Sequence, residues 1–174
     1  EYRVGIRRQR VDSEGDAPII GFHAQASIFR YPTNGSGQRI TYTVVLKTPA
    51  VESGGLRGDW IMTHGMQPYL GSTNSPASDF VGFIHHTNLT ANMNWQFQCV
   101  SNSISPGIID TGIAVTNSAW YELKVSITES NATGYINGAP VATNNLADGG
   151  LPIGIPMCAI SRYVRTSSST SVSD

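Results

Sequence analysis

Three groups of residues in this sequence have types and spacings that could do chemistry: histidines, carboxylates, and tyrosines set among amides. His85 and His86 are adjacent, and neighbours on an extended strand point to opposite faces, so the pair does not easily chelate one ion. His64 could meet one of them across strands, yet a zinc site needs further ligands at fixed spacing that the sequence does not supply. A structural role is therefore expected for each histidine, with no metal and no cofactor. Calcium asks for several loop-borne oxygens, and only Asn144, Asn145 and Asp148 offer them. Glycoside hydrolysis needs two carboxyl groups flanking the scissile bond. Glu122 is the only carboxylate on the central strand, Glu129 falls in a turn, and Asp59, Asp79 and Asp110 stand apart. There is no G-x-S-x-G elbow, no zinc-type Cys or His spacing and no phosphate-cradling glycine loop, so the chain is expected not to be an enzyme. Exposed aromatic rings stack on sugar faces while amide side chains read hydroxyls. Tyr69, with Gln67 and Asn74 nearby in a long loop, and Tyr135 on a hairpin are the candidate ligand-binding residues. Trp60, Trp95 and Trp120 are assigned to the core. Arg57-Gly58-Asp59 spells an adhesion tripeptide, but three residues recur by chance.

These side chains need elements to hold them, and the clearest is the stretch Ala119 to Ala142. Tyr121, Leu123, Val125 and Ile127 alternate with Glu122, Lys124, Ser126 and Thr128, the two-residue period of a half-buried strand. Glu129-Ser130-Asn131 supplies a turn, Ala132 to Ile136 a second strand, and Asn137-Gly138 a tight hairpin corner. The unit reads as a β-meander. Upstream, Ile20 to Ile28 alternates, as does Ile40 to Leu46 with Arg39, Thr41, Thr43 and Lys47 facing water. Further strands are expected at 59–64, 79–86, 94–100, 111–115 and 153–164, and Gly65 to Ser78 reads as a long loop of the length that is uncommon unless functional. No helix of three turns fits. Eight to eleven short strands predict an antiparallel sandwich or barrel.

Composition agrees with one ordinary domain: 174 residues, 40% hydrophobic, 13% charged, 18 Gly and 9 Pro. Residues 1–18 read as an arm or linker and 19–174 as a single domain. A net charge of -1 sets up no field to attract nucleic acid, although Arg3, Arg7, Arg8 and Arg10 crowd the arm. No apolar run is long enough to span a bilayer. Cys99 and Cys158 are expected as buried free thiols.

The order of residues carries a resemblance. Asp79-Phe-Val-Gly-Phe, Asn94-Trp-Gln-Phe, Asp110-Thr-Gly-Ile-Ala-Val, Trp120-Tyr-Glu-Leu-Lys-Val and Gly134-Tyr-Ile-Asn-Gly-Ala-Pro-Val-Ala-Thr143 together resemble the concanavalin A-like (laminin G-like) jelly-roll modules of bacteriophage tail and structural proteins. The resemblance covers residues 79 to 165. Residues 1 to 60 match only loosely, and the serine-rich tail departs from the pattern. It implies an all-β fold, an antiparallel β-sandwich of the concanavalin A-like jelly-roll kind. It also implies a non-enzymatic virion structural protein, a tail, fibre or head-decoration module. Such a protein would pack against copies of itself and other virion proteins, with neither membrane nor nucleic acid as partner, and could bind a cell-surface glycan. A carbohydrate-binding lectin-like module is the alternative; an icosahedral capsid jelly roll and a glycan-cleaving enzyme are further ones.

Overall fold

The computed structural model describes residues 19–21, 29–30, 32–33, 35–48, 60–68, 78–86 and 94–165. Eleven strands occur among them: β1 (Ile19–Gly21), β2 (Phe29–Arg30), β3 (Ile40–Lys47), β4 (Trp60–Gln67), β5 (Phe80–His86), β6 (Asn94–Val100), β7 (Ile108–Ala114), β8 (Trp120–Ile127), β9 (Asn131–Ile136), β10 (Ala139–Asn145) and β11 (Pro156–Arg165). One turn of 3-10 helix at Leu146–Asp148 is the only helical element among these residues. The strands form two antiparallel sheets. The larger runs β1-β11-β4-β5-β6-β7 with β2 also pairing β11, and the smaller runs β10-β9-β8-β3.

The meander that the sequence predicts is the middle of the smaller sheet. Tyr121, Leu123, Val125 and Ile127 point inward and are buried, as are Ala132 and Ile136 opposite them. Asn137 (φ 50) and Gly138 (φ 82) make the corner in the left-handed region that this dipeptide tolerates. On β3 the alternation also holds, with Tyr42 and Leu46 buried and Thr41, Thr43 and Lys47 exposed.

The larger sheet covers that inward face with Met62, Met66, Val81, Phe83, Trp95, Phe97 and Cys99, giving one continuous apolar core between the sheets. Gly134 sits where β9 crosses it. A Cβ there would lie 2.8 Å from both Phe83 Cζ and Phe97 Cδ2, so the two sheets approach this closely only because the side chain is missing. Tyr42 reaches across and donates its hydroxyl proton to the Ile160 carbonyl at 2.9 Å.

Three sequence expectations are corrected. β4 runs on through Gly65, Met66 and Gln67 instead of breaking at His64, because Gly65 pairs with Gly82 and Met66 with Val81. β7 begins at Ile108, three residues ahead of the expected strand start. Trp120 is 60% exposed, not core: Tyr121 and Leu123 take the inward positions, and strict alternation turns Trp120 outward. Trp95 is fully buried as expected, whereas the side chain of Trp60 lies outside the described set. The arginine arm, residues 22–28 of the expected first strand, and Arg57 to Asp59 lie outside the described residues as well.

Candidate functional site

Both faces of the larger sheet bury polar groups, and the two faces do so differently. Facing the smaller sheet, His64 and His85 flank the Trp95 ring at 5.9 Å each, and Tyr163 lies 5.2 Å from His64. His64 Nδ1 lies 2.9 Å from Ser161 Oγ, and its Nε2 has no hydrogen-bond partner among the described residues. Complete burial lowers the His64 pKa from 6.5 to about 3, so the ring is neutral. His85 Nδ1 lies 3.3 Å from the Asn94 carbonyl. Both rings therefore act as interior packing groups, and among the described residues no group of three or more His, Cys, Asp or Glu converges to hold a metal. Asn144, Asn145 and Asp148 are engaged locally instead. Asp148 Oδ2 accepts from the backbone and side-chain nitrogens of Asn145, and the Asn144 amide donates to the Gly149 carbonyl at 2.8 Å.

The outward face of the larger sheet is the candidate site. Cross-strand partners share a face, so the register assembles rows of side chains running perpendicular to the strands. One row is Arg162, Thr63, Ile84, Gln96 and Asp110, on β11, β4, β5, β6 and β7 in turn. The next is Ile160, Gly65, Gly82, Gln98 and Ile108. At the strand spacing of a sheet each row spans about 19 Å. The second row has no side chain at its centre. The two glycine backbones touch so closely that a Cβ on Gly65 would fall on the Val81 carbonyl and one on Gly82 would lie 2.7 Å from Gly65 Cα. The result is a buried backbone contact with Thr63 and Ile84 on one side and the Phe80 ring on the other, its Cζ 2.9 Å from where a Cβ on Gly82 would stand.

Exposure rises along these rows towards β7. Arg162 and Thr63 are buried, Ile84, Gln96 and Gln98 are half-buried, and Ile108 and Asp110 are exposed. Burial disfavours the charged form of Arg162 and pulls its pKa below the ordinary value. Thr63 Oγ1, Gln67 Oε1 and Gln98 Oε1 are buried atoms with no hydrogen-bond partner among the described residues. Leaving such groups unmet costs roughly 1–3 kcal/mol each. Asp110 is held at its open end, where Oδ1 accepts from Asn94 Nδ2 at 2.9 Å and from the Gly112 amide at 2.8 Å.

Of the residues singled out from sequence, Gln67 lies on this outward face, 5% exposed. Tyr135 lies on the outward face of the smaller sheet, with Lys124 Nζ 4.5 Å from its ring centroid. The structure thus puts Gln67 and Tyr135 on opposite sides of the sandwich, while Tyr69 and Asn74 fall outside the described residues. Sequence reasoning passed over Thr63, Gln96, Gln98, Asp110 and Arg162. The signal is present in Asn94-Trp-Gln-Phe-Gln-Cys, where amides alternate with core residues, a stretch marked from sequence only as a strand. Cys99 and Cys158 are buried free thiols that face opposite sides of the larger sheet, and burial pushes the Cys99 thiol up to about 12.

No protein-family model and no curated protein matches the chain. Solved structures do match in fold. The Crh5 transglycosylase in complex with NAG superposes with a TM-score of 0.53 at 14% identity, over 89% of this chain and 56% of its own. Galectin LEC-6 of Caenorhabditis elegans gives 0.45 at 12% identity over 80% of this chain and 94% of its own, and the Bacillus licheniformis beta-glucanase 0.47 at 15% over 78% and 58%. The chain thus spans little more than half the length of the two enzymes. The two antiparallel sheets and the likeness to the transglycosylase agree in a jelly-roll sandwich, which is the fold part of the sequence resemblance. The transglycosylase corrects one expectation: the missing sequence motifs led to a chain that is not an enzyme, yet the same architecture serves an enzyme there, so that expectation does not stand.

Proposed function

We propose that the chain is a carbohydrate-binding sandwich whose saccharide lies on the outward face of the larger sheet at its β6–β7 end. The observation that carries this reading is the pair of rows described above. At the β6–β7 end of these rows the half-buried Gln96 and Gln98 present amide donors and acceptors beside the exposed Ile108 and Asp110, while the glycines, Thr63 and Gln67 behind them are buried. Ile84 and Ile108 supply apolar patches for the ring faces, and Asp110 is an acceptor at the open end. That a sandwich of this fold was solved with NAG bound supports the same reading. The bacteriophage virion role expected from the sequence, with its assembly partners and location, would be a setting for this binding, and no feature of the sheets favours it independently.

The test is calorimetric titration of the whole chain with three probes: N-acetylglucosamine hexaose, laminarin and alginate. Binding to at least one probe is expected, weakened about tenfold in a Gln96→Ala/Gln98→Ala variant, the effect of losing two hydrogen-bonding side chains. Unchanged affinity in that variant would overturn the assignment of the site, and no binding to any probe would overturn the function. Reducing ends released from the bound probe would instead make this face an active site, with Asp110→Asn the variant that decides it.

A further inference from the structure

The opposite side of the sandwich carries a second feature that the reading above leaves unused. Trp120 is the one aromatic side chain in the exposed class among the described residues. It opens β8, with Lys47 as its direct cross-strand partner and Glu122 two residues along on the same face, opposite the exposed Val45. Its backbone is pinned on both sides. Ala119 exchanges two hydrogen bonds with Thr48, N–H to Oγ1 at 3.0 Å and carbonyl to N–H at 2.9 Å. The Tyr121 hydroxyl, turned inward, donates to the Ala114 carbonyl and accepts from the Thr116 amide. Glu122 is fastened as well, because its N–H donates to Asn137 Oδ1 at 2.9 Å and its carbonyl accepts from the Asn137 N–H at 2.8 Å.

A water-facing indole whose cross-strand partner is Lys47 and whose neighbour two residues along the same face is Glu122 is an unusual arrangement for a strand, since tryptophan is normally buried. The apolar surface it offers together with Val45 is on the order of 250 Å². A stable dimer needs about 800 Å² from each partner, so a second copy of the chain is too large an occupant for this patch. A single saccharide ring fits its chemistry. One face stacks on the indole, the Glu122 carboxylate accepts from adjacent hydroxyls, and the Lys47 ammonium donates. Four residues further along β8, roughly 14 Å away, Lys124 is held over the Tyr135 ring and supplies another fixed donor on the same face.

We propose that Trp120, Lys47 and Glu122 form a second saccharide site, for an uncharged pyranose, on the side of the sandwich opposite the first. Two sites on opposite faces would allow one molecule to bridge two polysaccharide chains and gain avidity without new contacts.

The test is two-dimensional NMR of the full chain titrated with laminarihexaose, cellohexaose and N-acetylglucosamine hexaose, following the Trp120 indole N–H, assigned by its loss in Trp120→Phe. A saturable shift of that signal is expected with at least one hexaose, and it should persist unchanged in Gln96→Ala/Gln98→Ala. Trp120→Ala should weaken the dissociation constant read from the Glu122 and Lys47 amides about tenfold. No shift with any of the three sugars would overturn the proposal. So would a shift abolished by the glutamine variant, which would report the first site alone, or a sugar-independent shift with a dimer in light scattering that Trp120→Ala dissolves. Loss of the first site with the Trp120 shift intact would remove the proposed function above and leave this site standing.

Discussion

The two sheets divide the labour of the sandwich unequally. The smaller sheet is one-sided: its inward positions hold Tyr42, Leu46, Leu123, Val125 and Ile136, and its outward positions, among them Thr41, Thr43, Val45, Lys47, Trp120, Glu122 and Tyr135, are exposed or half-exposed. The larger sheet buries side chains on both faces, and polar ones on both, with His64 and His85 inward and Thr63, Gln67 and Arg162 outward. That outward face also carries a second buried apolar cluster of Phe80, Val100 and Ile160, and burying polar groups beside it costs free energy unless they are met.

Substitutions that treat equivalent positions on the two sheets in the same way should give unequal results. The largest contrast is between two glycines. Gly82→Ala drives a methyl into the His64 carbonyl and Gly65 Cα and should cost at least about 4 kcal/mol, or prevent folding, as overpacking against backbone does. Gly138→Ala on the smaller sheet meets no atom within 4 Å and bears only the strain of φ +82, about 1 kcal/mol. Urea unfolding of the two variants measures the difference.

Acid should act through the larger sheet. His64 titrates at about 3 when folded and near 6.5 when unfolded, so the unfolded chain takes up a proton first and stability falls as pH drops from 6.5 towards 3. The expected loss from this group between pH 7 and pH 4 is roughly 3 kcal/mol. His64→Leu should flatten that part of the profile, and an unaltered slope in the variant would assign the acid sensitivity to other groups.

Thr63→Val keeps the shape of a buried side chain while removing a hydroxyl that has no partner among the described residues. Stability should rise by about 1 kcal/mol by urea unfolding while saccharide affinity stays unchanged, because the side chain is fully buried. The smallest effect is expected on the smaller sheet. Lys124→Ala removes a half-exposed cation from the Tyr135 ring and should cost about 0.5 kcal/mol by thermal unfolding, with the affinity of the first site unchanged.

How much of this was legible beforehand follows the same division. Tyr121 to Ile136 could be read almost residue by residue, because one face is wet, the other is dry, and Asn137-Gly138 fixes the register. β4 could not. Its sequence, Trp-Ile-Met-Thr-His-Gly-Met-Gln, has no clean alternation, since both faces are buried and a glycine stands where a break is normally inferred. The candidate face was missed for a related reason. Its rows run across five strands, joining residues from Thr63 to Arg162 that only the register brings side by side. Aromatic residues in loops were the sequence cue for sugar binding. The structure puts the amides on strands, and the exposed tryptophan had been assigned to the core.

The most direct test of the central claim is a map of backbone amide shifts on adding whichever hexaose binds, in the unaltered chain. The account predicts that the largest shifts fall on Ile84, Gln96, Gln98 and Asp110, the open ends of two adjacent rows. A map in which β4 to β7 stay still while the shifts gather elsewhere would contradict it.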